Sequence, residues 1–131
     1  MTTPLRLATA AALVMAFAQT ASAEGDPAKG EKVFKKCKVC HAVGEGAKKK
    51  VGPALNNIIG AKAGIQEGYK YSKAMKKAGE EGLVWTEDKL SVYLEKPKKL
   101  IKGTKMVFPG LKKETDRDNV IAYLKKFTKS E

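Results

Sequence analysis

The chain contains 131 residues and carries a formal net charge of +12 at pH 7, because 26 lysines and arginines outnumber 14 acidic residues. This length suits one small domain and excludes a multidomain architecture. Of the basic residues 24 are lysines, whereas nucleic-acid interfaces rely on arginine forks and interleaved aromatic rings, so we predict no nucleic-acid partner. Lysine-rich charge instead favours transient encounters with acidic protein surfaces.

The first 23 residues have the pattern of a secretory signal peptide. Arg6 provides a positive start, Leu7–Ala18 is apolar apart from one threonine, and the small residues "ASA" end at Ala23. This apolar run is too short for a membrane span, which needs about 20 residues. We therefore predict cleavage after Ala23, export to the periplasm, no stable membrane insertion, and one mature domain over residues 24–131. Its net charge falls to +11, because Arg6 is the single charge lost.

The mature chain begins with a predicted helix. Asp26 suits the N-cap and Pro27 the first helical position, where the missing N–H of proline costs nothing. Phe34 is expected on the inner face, and Gly30, one turn earlier, would allow another helix to cross closely. From Ala42 to Gly68 the chain is rich in glycine, lysine and asparagine without a sustained period, which predicts a long surface loop.

Three further helices are predicted. A short one is expected around Ser72–Lys77, and a longer one should begin with Thr86 as its N-cap and stop at Pro97. For the last helix, "TDRD" at Thr115–Asp118 fits a capping-box start. Its inner stripe follows at spacings of three and four: Val120, Tyr123, Leu124 and Phe127. No stretch alternates over strand length, so we predict an all-α protein with long ordered loops.

The strongest chemical signal is "CKVCH", which holds Cys37, Cys40 and His41, the only cysteines and the only histidine of the chain. A structural zinc site would need a second pair of ligands, which the chain lacks. A thioredoxin-like pair would follow a strand in a βαβ pattern, whereas this one follows a predicted helix. C-x-x-C-H is the attachment signature of haem: two thiols bind the vinyl groups, and the histidine becomes the proximal ligand. A haem-free structural disulfide remains the simpler alternative.

The second iron ligand decides between an electron carrier and an enzyme, because histidine–methionine ligation favours electron transfer and an open position allows binding or catalysis. Two methionines remain after removal of the leader. Met75 lies in a predicted amphipathic helix, where core packing is its expected role. Met106 lies in "KGTKMVFPG", where no regular helix would bury it, and it is our predicted ligand. The alternative is a haem enzyme or gas-binding cytochrome with an open iron site.

Four segments resemble class I cytochrome c, and especially its cytochrome c2 and mitochondrial types. They follow in family order over essentially the whole mature chain: "CKVCH", "GPAL" at Gly52–Leu55, "YLEKPKKLIKGTKMVFPG" at Tyr93–Gly110 and "VIAYLKKF" at Val120–Phe127. The resemblance implies the small class I fold, in which N- and C-terminal helices cross and helices and long loops wrap one covalently bound haem c. It also implies an electron carrier and no enzymatic activity.

By this resemblance each candidate residue acquires a role. Cys37 and Cys40 carry the haem, His41 and Met106 bind the iron, and the Pro53 carbonyl receives the histidine N–H. Tyr71 and Trp85 match positions that hydrogen-bond a haem propionate. Tyr93 and Thr104 match positions that line the methionine side of the pocket. Gly30 and Phe34 match the place where the terminal helices cross.

Two positions depart from the family pattern. Ala61 stands where many members keep an arginine near the propionates, which removes a charge that would stabilise a buried propionate. Lys102 replaces a common proline before Gly103, which is expected to loosen the methionine loop.

The expected function is that of a soluble, monomeric periplasmic carrier of single electrons. It would shuttle between a membrane donor of the bc1 type and an acceptor such as a photosynthetic reaction centre or terminal oxidase, with periplasmic dehydrogenases as further candidate partners. Lysines near the haem edge would guide docking onto acidic surfaces. The candidates are Lys36, Lys38, Lys50, Lys98, Lys99, Lys105 and Lys112.

Overall fold

The first and last helices form the central contact of the fold. A computed structural model describes residues 24–129, so the predicted signal peptide and its cleavage site lie outside the described residues. Helix α1 spans Pro27–Phe34, and helix α5 spans Glu114–Lys125. The predicted start of α1 is confirmed, since the Asp26 carboxylate accepts from the amides of Ala28 (2.8 Å) and Lys29 (3.2 Å).

The predicted crossing at Gly30 is also confirmed. A Cβ at Gly30 would collide with the backbone carbonyl of Asn119 on α5, so glycine permits the backbones to approach. Next to this point the rings of Phe34 and Tyr123 lie with centroids 5.3 Å apart, and both side chains are buried. The apolar residues that recur at helical spacing in the sequence thus form the interface between α1 and α5.

The predicted capping box of the last helix is wrong. The helix begins at Glu114 and uses Lys113 as its N-cap, without a side-chain cap bond, so Thr115 lies inside the first turn. Glu114 and Asp116 place negative charge at the positive end of the helix dipole. Arg117 donates from within the helix to the carbonyls just before it, which fixes the entry of the chain in place of a cap.

Three shorter helices lie between α1 and α5: α2 over Lys73–Glu80, α3 over Glu87–Glu95 and α4 over Pro97–Leu100. Ser72 caps α2 and Thr86 caps α3, each through its hydroxyl. The sequence predicts the Thr86 cap, and for α2 it predicts only a short helix in this region. Helix α2 runs three residues beyond the predicted end. Pro97 ends α3 as expected, but it also begins α4, which the sequence did not predict, because proline suits a first helical turn.

The long segment between α1 and α2 has no regular helix. Within residues 24–129 there are no strands, and one isolated antiparallel bridge joins Lys62 and Val84. The predicted all-α class is confirmed. None of the helices in this part of the chain is long and apolar enough to cross a membrane.

A single apolar cluster runs from the α1–α5 contact to the middle of the chain. It includes Phe34, Met75, Trp85 and Tyr93, and Cys37 is packed against it. Met75 is buried in this cluster on α2, as its expected packing role requires.

Candidate haem site

The cysteine–histidine segment forms tight turns directly after α1. The amide of Cys37 donates to the Phe34 carbonyl (2.8 Å), and the amides of Cys40 and His41 donate to the Cys37 carbonyl (3.0 and 2.9 Å). These bonds hold the two thiols and the imidazole on one short stretch of backbone. Cys37 and Cys40 are not joined by a disulfide, so both sulfur atoms are free to form other bonds.

The His41 ring is oriented by two neighbours. Its Nδ1 lies 2.7 Å from the Pro53 carbonyl oxygen, and since a carbonyl only accepts, Nδ1 carries the proton and donates. The lone pair of the ring is then on Nε2, the atom available to a metal. A Cβ at Gly52 would lie 2.8 Å from Nδ1, so glycine leaves the space that the ring fills.

The local environment favours the neutral form of His41. Burial lowers the pKa of the imidazole, Lys50 acts in the same direction, and the Pro53 hydrogen bond opposes them. A neutral imidazole is the form that binds metals.

Cys37 has the opposite character to a redox-active thiol. Burial and the neighbouring Cys40 raise its pKa to about 11, while Lys36 acts against them. Thiols that exchange disulfides have lowered pKa values, because the thiolate is the nucleophile. The pair therefore differs from a thioredoxin-type site.

A second set of candidate residues is joined by hydrogen bonds. The hydroxyls of Tyr93 and Thr104 lie 2.5 Å apart, and the amide of Met106 donates to the same Thr104 oxygen over 3.2 Å. Tyr93 is buried on α3, whereas Thr104 and Met106 lie in the irregular segment after α4. Burial raises the pKa of Tyr93, while its bond to Thr104 opposes the shift. These bonds attach the segment that carries Met106 to helix α3, at a point two residues before the methionine.

The candidate aromatic residues belong to the same region. The rings of Trp85 and Tyr93 lie 4.9 Å apart, and Tyr71 makes an edge-to-face contact with Tyr69 at 4.8 Å. Tyr71 is half-buried, and burial raises its pKa. Cys37, Tyr71 and Met106 pack against the cluster that contains Trp85 and Tyr93. One apolar region therefore brings together five of the nine candidate residues.

Comparison with known proteins decides the family. The family profile described as Cytochrome c matches residues 27–128. This chain belongs to the cytochrome c family. It is 60% identical to a cytochrome c2 of Agrobacterium tumefaciens (strain II Chrys) over 101 residues, which are 77% of this chain and 91% of that protein. It is 55% identical to a cytochrome c2 of Rhodomicrobium vannielii over 114 residues, 87% of each chain.

A solved structure agrees with this assignment. The cytochrome c2 from Rhodospirillum centenum superposes with a TM-score of 0.75 at 45% identity, covering 80% of this chain and all of that chain. The class I fold of the c2 type is therefore confirmed, and with it one covalently bound haem c and the role of a mono-haem electron carrier rather than an enzyme.

The donor set of this cytochrome c fits haem c. Two free thiols lie three residues apart, the adjacent imidazole has its lone pair on Nε2, and Gly52 leaves space for that ring. These are the atoms that thioether attachment and iron ligation require.

Several supporting contacts of the cytochrome c were not predicted from the sequence. The Asn56 side chain accepts from the Gly44 amide and donates to the Gly44 carbonyl, each over 2.8 Å, closing the loop that follows His41. Among the lysines predicted to dock partners, Lys50 donates to the Lys38 carbonyl, and Lys105 donates to a carbonyl 35 residues earlier over 2.6 Å. None of these contacts had a local signal in the sequence. Among the supporting residues described above, Gly52 did have one, because it lies within the motif "GPAL".

The two departures from the family pattern lie in different surroundings. Ala61 is half-buried, and its carbonyl accepts from the Trp85 amide over 2.8 Å, so its backbone role does not depend on the side chain. Lys102 is exposed, and the following Gly103 lies so close to Ala74 on α2 that a Cβ there would come within 2.7 Å of the alanine methyl. The segment that carries Met106, called the methionine segment below, therefore packs against α2 at Gly103 although the family's proline is missing.

Proposed function

We propose that this cytochrome c is a periplasmic carrier in which Cys37 and Cys40 hold the haem through thioether bonds and His41 and Met106 are the axial iron ligands. The observation that carries the proposal is the 2.7 Å hydrogen bond from His41 Nδ1 to the Pro53 carbonyl. That bond fixes the tautomer and points to Nε2 as the ligand atom.

The bound haem supplies the one-electron couple between ferric and ferrous iron, and histidine–methionine ligation raises its reduction potential. The protein's contribution is to orient the ligands and exclude water. Pro53 holds the imidazole, and Tyr93 and Thr104 line the methionine side. Tyr71 and Trp85 are proposed to donate to a propionate. The buried positions of Trp85 and Tyr93 support a water-poor pocket.

The docking surface is proposed to include the seven candidate lysines that were named from the sequence. All seven of these lysines are exposed, and none forms an ion pair within residues 24–129. Their positive charge is therefore available to acidic partners, for which we propose a bc1-type donor and a reaction centre or terminal oxidase as acceptor, with periplasmic dehydrogenases as further candidates.

The remaining features complete the proposal. A signal peptide over residues 1–23 is cleaved after Ala23, the mature cytochrome c is one domain over residues 24–131, and it acts as a monomer. Mass spectrometry of the protein purified from the periplasm tests the cleavage site: a mature chain that begins at Glu24 is expected.

The ligand assignment is tested with carbon monoxide. Met106→Leu is compared with Met75→Leu, which removes the other methionine sulfur of the mature chain from a buried position on α2. We expect the ferrous wild type and Met75→Leu to bind carbon monoxide slowly and Met106→Leu to bind it readily. Ready binding by the wild type would instead favour the open-site alternative.

The docking face is tested by ionic strength. Exposed charges are screened over about 10 Å at 0.1 M salt, so electron transfer to an acidic partner should slow as salt is added. Lys98→Gln should weaken this dependence, whereas Lys77→Gln should not, because Lys77 lies beside Glu81 at 3.7 Å. A salt-independent rate in the wild type would contradict the lysine argument.

A further inference from the structure

Arg117 is the one arginine of residues 24–129, in a chain that otherwise uses lysine for positive charge. Its guanidinium makes three hydrogen bonds. Nη1 donates to the carbonyls of Leu111 (2.8 Å) and Lys112 (2.9 Å), and Nε donates to the Ser91 hydroxyl on α3 (3.0 Å). A single half-buried side chain on α5 therefore joins α3 to the end of the segment that carries Met106.

The chemistry of this contact requires arginine. The guanidinium is a rigid planar fork whose N–H groups point in fixed directions, so it can donate to two adjacent carbonyls and a hydroxyl at once. Lysine presents one compact ammonium on a flexible stem and cannot hold the same three acceptors in one geometry.

The segment attached by Arg117 is anchored at Leu111, whose side chain is buried in the apolar cluster, and it is less restrained just before that residue. The Leu111 amide donates to the Leu94 carbonyl over 2.7 Å, and Gly110 lies directly against the Glu95 carbonyl. Within the described part of the chain the amides of Val107 and Phe108 donate no hydrogen bond, and Val107 is 91% exposed. The C-terminal end of the segment that carries Met106 is therefore held at Leu111 and Lys112, and Arg117 supplies the side-chain hydrogen bonds to their carbonyls.

We propose that Arg117 is a positioning residue for Met106. By fixing the carbonyls of Leu111 and Lys112 on α3, it limits how often the methionine segment lifts and how often the Met106 sulfur leaves the iron. This inference rests on the proposed assignment of Met106 as an iron ligand.

The test uses the haem-loaded ferric protein and imidazole as the entering ligand. At saturating imidazole the binding rate is limited by departure of the native ligand. Arg117→Gln removes the hydrogen bonds of a charged donor and should raise this limiting rate about tenfold or more. Arg117→Lys keeps the charge and should give a smaller increase. Hydrogen exchange of the Leu111 amide should accelerate in the same order.

The matched control is Lys125→Gln. Lys125 also ties α5 to α3, through a 2.8 Å ion pair with Glu87, but it does not contact the methionine segment. The limiting rate of Lys125→Gln should stay within about twofold of the wild-type rate, since a partly exposed ion pair contributes little to stability. Each rate is compared with the denaturant stability of the same variant, because a merely structural role would change both measurements together. Equal limiting rates in Arg117→Gln and Lys125→Gln would overturn the proposal.

Two further variants keep the outcomes separate. If Arg117→Gln does not fold, Ser91→Ala is used instead, because it removes one of the three hydrogen bonds of Arg117. An unchanged limiting rate in that variant would refute the clamp, by which we mean the bonds from Arg117 to Ser91, Leu111 and Lys112. Met106→Leu tests the underlying assignment: if it binds imidazole at the wild-type limiting rate, Met106 is not the ligand, and the clamp proposal falls with that assignment. If Met106→Leu binds imidazole faster than the wild type while the Arg117 variants keep the wild-type limiting rate, only the proposed role of Arg117 fails.

Discussion

Gly52 offers the sharpest test of how the histidine is held. A Cβ at this position would lie 2.8 Å from Nδ1 and 3.0 Å from Nε2 of His41, closer than side-chain contacts normally come. Gly52→Ala should therefore displace the ring and weaken its hydrogen bond to the Pro53 carbonyl. The perturbation is steric, because Gly52 does not adopt the left-handed conformation that would itself disfavour alanine.

The expected cost follows from these contacts. Overpacking a well-filled site costs about 1–3 kcal/mol, and a lost hydrogen bond costs about 1 kcal/mol. Replacing glycine restricts the unfolded chain and returns about 0.5–1 kcal/mol. We therefore expect Gly52→Ala to lower the free energy of unfolding by about 1–3.5 kcal/mol. Because the bond to Pro53 raises the basicity of the imidazole, its weakening should also raise the reduction potential.

Guanidinium denaturation of the haem-loaded protein and potentiometric titration measure the two effects. The control is Gly46→Ala, since Gly46 has φ +71° and a methyl there would meet no atom within 4 Å, so it tests backbone strain without contact. That variant should lose about 1 kcal/mol and keep the wild-type potential. If both variants lose the same stability and neither changes the reduction potential, the explanation that a side chain at position 52 would collide with the His41 ring is refuted.

Three more substitutions test other parts of the structure. Gly30→Ala should destabilise the protein by about 3 kcal/mol in denaturant titration, because a methyl would force α1 from the α5 backbone; a neutral result would contradict the close crossing. Asn56→Ala should cost about 1–3 kcal/mol, since it leaves the Gly44 amide and carbonyl without their partners, and Asn56→Asp should recover the amide's bond alone. The Lys125–Glu87 pair should contribute about 0.5 kcal/mol in a double-mutant cycle, as both side chains are partly exposed. The bond to Glu87 raises the pKa of Lys125, so this coupling should be complete at neutral pH and disappear as the pH rises above 10.5 through the raised value; coupling that persists there would refute an ionic origin.

Local signals in the sequence predicted the N-caps of two helices, Asp26 and Thr86, and the approximate start of a third near Ser72. Asp26, Ser72 and Thr86 are caps that act on backbone amides two or three residues away, so neighbouring residues suffice to define them. The capping box at Thr115 is wrong because the start of α5 is fixed by a side chain further along the helix that reaches back to the preceding carbonyls. Helix α4 was not predicted, because Pro97 indicates the end of one helix and gives no separate signal that it also begins the next.

The sequence alone identified the haem-attachment motif and the methionine candidate, because "CKVCH" concentrates its donors in five consecutive residues and Met106 lies in a segment bounded by glycine and proline. Only the tertiary structure decided which atoms hold those donors in place. The Gly52 contact, the Asn56 bonds and the Arg117 hydrogen bonds each join residues that are distant in the chain or depend on close backbone proximity. Helical period and motif spacing carry no information about such contacts, because they arise when separate segments pack together.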